Sequence, residues 1–116
     1  SLSAITNPNT NELGMNITNS SGADITITRF FAYWVKSPTS QKIDRLLLDS
    51  NQIWNTSDSD TPSDIPAEGN WIGGANRTIP DTAVLNFVIR FQNDLQATGY
   101  TVHIVFDAGC QVVGTK

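Results

Sequence analysis

Along most of this chain hydrophobic and polar positions alternate with a period of two, the signature of half-buried β-strands. The cleanest run is Ala83–Phe91, where Leu85, Phe87, Ile89 and Phe91 alternate with Val84, Asn86, Val88 and Arg90. A second is Tyr100–Asp107, which turns Tyr100, Val102, Ile104 and Phe106 inward and Thr101, His103, Val105 and Asp107 outward. Leu13, Met15 and Ile17 form a shorter strand. The stretch LGMNIT–NSSG–ADITIT reads as a hairpin, because Asn19-Ser20-Ser21-Gly22 is turn chemistry between two alternating runs.

The longest β-forming run is Ala23–Val35, ADITITRFFAYWV. Ile25 and Ile27 share one face, but unbroken alternation would then bring Arg29 into the core. An unpaired buried guanidinium is costly. A one-residue bulge near Arg29-Phe30 would instead release Arg29 to solvent and put Phe30, Ala32 and Trp34 on the isoleucine face. The bulge is the expectation carried forward. Pro38 ends this strand region. Lys42–Asn55 follows as a second hairpin turning at Asp49-Ser50-Asn51. Its first arm, IDRLLL, also fits a helical turn, but it is short and ends in turn chemistry, which favours a strand. Thr56–Gly74 then reads as a long loop with Trp71 and Ile72 inside it. Leu2 and Ile5 can begin an edge strand before Asn7-Pro8-Asn9, and Cys110–Val113 adds a short terminal one. The total is about seven strands at sandwich-like spacing, an all-β antiparallel β-sandwich forming one domain over residues 1–116.

Composition agrees with this reading. The chain is 39% hydrophobic and only 16% charged, and 10 Ser, 13 Thr and 11 Asn make up much of the rest. Net charge is −4, and the 7 basic residues are scattered, so no stripe exists to neutralise phosphates and nucleic acid is not an expected partner. No transmembrane run or signal peptide is visible. The first residue is Ser1, not Met, which leaves room for a targeting or anchoring segment upstream.

The chemistry-bearing candidates are few. Trp54 and Trp71 could stack on sugar rings, with neighbouring Asn and Asp bonding hydroxyls, and make the domain a glycan-binding module; the competing reading is that both are packing residues. Asp58, Asp60 and Asp64, with Glu68 beyond, could offer hard oxygen ligands to calcium, but the run lacks an EF-hand's glycine and terminal glutamate, so no cofactor is the base expectation. Cys110 and His103 are the only thiol and the only imidazole. A separation of seven places them on opposite faces of a continuous strand, and no nucleophile elbow or phosphate-binding loop is present. Lys36 and Lys42 flank the aromatic strand, where a buried Lys–Asn cross-link is conceivable.

NSSGADITIT, NWIGGANRTIP, LNFVIRFQN and GYTVHIVFDAGC, in this order, resemble small immunoglobulin-like β-sandwich domains of bacterial secreted or cell-surface proteins, including some encoded with a prepilin-like leader. The resemblance spans about Met15–Cys110 and rests on strand and turn patterns. It implies an extracellular, non-enzymatic module for structure, assembly or adhesion, with other surface or pilus subunits as partners. In such domains a terminal Gly-Cys can pair with a cysteine ahead of the first strand; here that implies a partner for Cys110 outside this chain.

Overall fold

In the computed structural model, which describes all 116 residues, the chain forms nine strands: β1 (Glu12–Thr18), β2 (Ile25–Trp34), β3 (Ile43–Leu48), β4 (Asn51–Trp54), β5 (Ser63–Ile65), β6 (Thr78–Ile79), β7 (Val84–Phe91), β8 (Tyr100–Phe106) and β9 (Gln111–Thr115). They make two antiparallel sheets that face each other as a β-sandwich. One has the order β1-β7-β3-β4 and the other β5-β2-β8-β9, with β6 also pairing β2.

The bulge expected in β2 is present. The β2–β8 register shifts between Ile27 and Arg29, and Ile25, Ile27, Phe30, Ala32 and Trp34 are all buried while Arg29 is exposed. Thr28 is the extra residue, so one displaced residue keeps an entire apolar face inward. Rings from the two sheets meet across the core. Phe30 lies 6.0 Å from Phe87, and Trp34 meets Phe91 edge-on at 5.4 Å. The Trp34 indole N–H would be orphaned there, but it donates to Gln41 Oε1 at 3.2 Å. The buried Gln41 amide in turn donates to the carbonyls of Asn93 and Asp94.

Three expectations are corrected. The segments flanking Asn19–Gly22 do not form a hairpin, because β1 pairs β7 and β2 pairs β8, in different sheets. Polar turn residues serve an arch between sheets as readily as a hairpin. Here Asn19, 1% exposed, fastens the arch: its Nδ2 donates to the carbonyls of Ala23 and Ile79, and its Oδ1 accepts from the Ser21 N–H. The strand count is nine, not seven, because the region read as loop contributes β5, and β6 follows it. Both are too short, at three and two residues, to display a period. The β3–β4 turn is tighter than expected, with Asp49 and Ser50 alone at positive φ and Asn51 already in β4.

Most sheet edges are closed by the chain itself. Residues 1–6 lie along β1, with Thr6 and Gly14 exchanging both backbone bonds at 2.9 Å. Beyond β4, Trp71 bridges Trp54, and the Ile72 N–H donates to the Ile53 carbonyl. On β2, β6 covers Ile25-Thr26 and β5 covers Phe30–Ala32. Arg77 Nη1 donates to the Ile27 carbonyl in the gap between them. β9 has β8 on one side and no strand on the other.

Candidate functional site

The loop that follows β4 brings several of the candidate residues to one place. Trp54, Asp58, Asp60 and Asp64 line a cleft of about 290 Å³ together with Asn70. Their side chains are largely committed elsewhere. Asp58 accepts the Asp60 N–H at 2.8 Å and the Ser63 hydroxyl at 2.6 Å. Asp64 is held by Arg29, from Nε at 3.1 Å and from Nη2 at 2.8 Å. No three carboxylate, imidazole or thiol groups converge in the geometry of a metal site. Local turn bonds at Asp58 and the Arg29 fork at Asp64 engage oxygens that a calcium ion would use.

Trp54 is 4% exposed, packs within the core and meets the cleft only as part of its wall. Trp71 is half-buried. Its indole N–H donates to the Pro66 carbonyl at 2.9 Å, and the Arg77 guanidinium sits 5.4 Å from its ring centroid. Both indoles act as packing for the loop. His103 and Cys110 do not form a dyad. His103 Nε2 shares a 2.6 Å hydrogen bond with Gln111 Oε1, while Cys110 is an exposed free thiol beyond the β8–β9 turn, opposite Phe106. Cys110 lines a cleft of about 180 Å³ that Ser1 and Phe106 also line. Lys36 Nζ donates to the Ser59 carbonyl, so it is not engaged with an asparagine.

The more organised surface is one the candidate residues did not define. The bulge in β2 turns Arg29, Phe31 and Tyr33 to the outer face of the second sheet. In register across that sheet lies the row Asp64–Phe31–His103–Val113. Phe31 and His103 stack at 5.3 Å with 25° between their planes, and Arg29 lies 4.6 Å over the Phe31 ring. The hydrogen bonds to Asp64 hold the Arg29 guanidinium above its ordinary pKa, partly opposed by desolvation. Tyr33 and Val113 are each 59% exposed and Val35 is 70% exposed. The outer face of the other sheet carries Asn16, Asn86 and a Glu12–Arg90 ion pair at 3.0 Å, with Val84 at the start of β7 as its exposed apolar residue. A sequence signal for the apolar face existed. Once a bulge is placed at Arg29, the residues left pointing outward are Arg29, Phe31, Tyr33 and Val35, an unusually apolar set for a solvated face.

Comparison of the chain with family models, curated proteins and solved structures returns no match.

Proposed function

We propose that this domain is a non-enzymatic structural and assembly module of an extracellular, surface-attached or pilus-associated bacterial protein, and that its working surface is the outer face of the β5-β2-β8-β9 sheet. The observation that carries the reading is the concentration of exposed apolar and aromatic residues on that one face. Phe31 stacks on His103 beside them, whereas the opposite sheet presents amides and a half-buried ion pair, with Val84 alone among large apolar residues strongly exposed. Arg29 and Asp64 neutralise each other at its rim, so a partner meets no isolated charge there.

The strand order supports the immunoglobulin-like part of the reading. If residues 1–6 are counted as a leading strand, they and β1, β7 and β3 form one sheet while β2, β8 and β9 form the other, the partition of constant-type immunoglobulin sandwiches. The β4–β6 region is then an insertion that seals β2. Tyr100, at the start of β8, accepts the Gln96 N–H on its hydroxyl at 2.8 Å, as the tyrosine corner of such sandwiches does. An extracellular setting is supported by the low charge, the abundance of Asn, Thr and Ser, and the family resemblance of the sequence. In that setting the reading pairs the exposed Cys110 with a cysteine outside residues 1–116, as the family resemblance implies.

Sedimentation of the wild-type chain and of Tyr33→Ser, alongside a glycan array, tests the proposal. Concentration-dependent association that Tyr33→Ser weakens is the expected result. A chain that stays monomeric, or specific glycan binding that maps to the Thr56–Gly74 loop, would overturn it.

A further inference from the structure

The edges of the two sheets are treated unequally. Residues 1–6 cover β1, Trp71-Ile72 cover β4, and β5 and β6 cover β2. β5 is itself an edge, but it has only three residues and lies between Pro62 and Pro66, a combination that blocks strand addition. β9 has none of these protections. Its five residues, QVVGT, contain no proline and no charge, and its pairing with β8 runs without a register shift. Long, uncharged, flat edges are templates for another strand.

We propose that β9 is the contact strand of a homodimer, pairing antiparallel with β9 of a second copy about a two-fold axis at Val113. The inference rests on the assembly reading above and adds an edge contact to it. That contact extends the outer face of the sheet into a second copy and leaves Tyr33 on that face free for a further partner. The bonds that join β9 to β8 run through Cys110 and Lys116: the Phe106 N–H donates to the Cys110 carbonyl, and the Lys116 N–H donates to the Tyr100 carbonyl. Antiparallel alternation puts Val112 and Gly114 on that same side. It leaves the N–H and C=O of Gln111, Val113 and Thr115 pointing away from the sheet.

Those three residues are self-complementary. A two-fold axis at Val113 sets Val113 opposite its own copy and Gln111 opposite Thr115, so every outward backbone group finds a partner, about six hydrogen bonds in all. Sliding the strands by two residues loses an outer pair. The same axis continues the Phe31–His103–Val113 row into the second copy, with the two exposed valines as a cross-strand pair. Charge also favours this approach. The chain carries −4 overall, yet the contact strand is neutral.

Cysteine scanning of the 116-residue chain in a Cys110→Ser background tests the register. Paired residues of this kind have Cα atoms about 5.5 Å apart, within disulfide range. Val113→Cys is therefore expected to give a disulfide dimer under mild oxidation. Gln111→Cys alone should not, but it should cross-link when mixed with Thr115→Cys. Val113→Glu opposes two carboxylates at the axis, and its dimer fraction in sedimentation should fall about tenfold or more, with the circular dichroism spectrum retained. Equal cross-linking at all three positions, or none, would overturn the proposal. Association that survives Val113→Glu but is lost in Tyr33→Ser would also overturn the β9 contact while leaving the assembly reading standing. A chain that is monomeric in every variant and at every concentration would remove both.

Discussion

Replacing Tyr100 with Phe isolates one hydroxyl in a buried corner. The ring is 3% exposed and packs 6.0 Å from Phe91 at 62°, contacts that phenylalanine keeps. Only the acceptor for the Gln96 N–H is lost. An unsatisfied buried donor costs about 1–3 kcal/mol, and Gln96 lies on an exposed segment where water can take up part of the bond, so the expected loss is about 1 kcal/mol. For a chain of this length that lowers Tm by about 3–6 °C. Burial raises the Tyr100 pKa above the usual phenol value of 10.0, against the opposing effect of the Gln96 bond. As pH rises past 10, the unfolded chain therefore gives up this proton before the folded one does. The linked stability is fully present below that pH and is lost as pH climbs toward the raised folded value. The gap between wild type and Tyr100→Phe should thus be widest near neutrality and narrow in alkali. Urea melts followed by fluorescence of the buried Trp34 and Trp54 measure it, with an unchanged m-value showing that the denatured state is the same. A Tyr100→Phe loss near zero, a loss as large as the roughly 3–5 kcal/mol expected for Tyr100→Ala, or a gap that does not depend on pH would each refute the reasoning.

Two further outcomes follow from the polar groups. Asn19→Ala should cost about 1–2 kcal/mol, because it frees the Ile79 carbonyl from its one buried side-chain bond and removes the bonds to the Ala23 carbonyl and Ser21 N–H at the exposed tip of the arch; an equilibrium denaturation change under about 0.5 kcal/mol would show that the arch holds without it. Adding about 5 mM calcium should move Tm by less than about 1 °C, since Asp58 and Asp64 are already bonded; a rise of several degrees in a thermal melt would show that the loop rearranges to bind the ion.

The parts of the fold that were legible in the sequence are those where a long apolar run meets a charge or a strict period. Arg29 exposed the bulge because a guanidinium cannot follow two isoleucines inward. β7 and β8 declared their inner faces over seven or eight residues. The pairing of β1 was not legible, since Asn-Ser-Ser-Gly is equally good chemistry for a hairpin and for an arch, and only tertiary packing chooses between them. β5 and β6 were hidden because segments of two or three residues carry no pattern. Trp54 and Trp71 looked like loop aromatics available to a ligand, yet the loop folds back and uses them as its own core. The outer-face row was within reach. It required reading the residues that the bulge turned out, as well as those it turned in.

The sealing of β2 also has a consequence in time. Every strand that pairs with β2 is encoded after it, and its main partner β8 begins about 65 residues downstream. At ordinary rates of synthesis, β2 therefore emerges on the order of 3–13 s before β8 can pair with it. Until a later strand arrives, ITITRFFAYW has neither edge paired. β5 is synthesised about 30 residues after β2, roughly halfway through the delay, and it pairs at Phe30–Ala32, the most apolar stretch. The short proline-flanked strand that guards an edge in the finished domain is thus also the first β2 partner available to the nascent chain. Removing β5 would lengthen the period in which β2 can pair with the wrong neighbour.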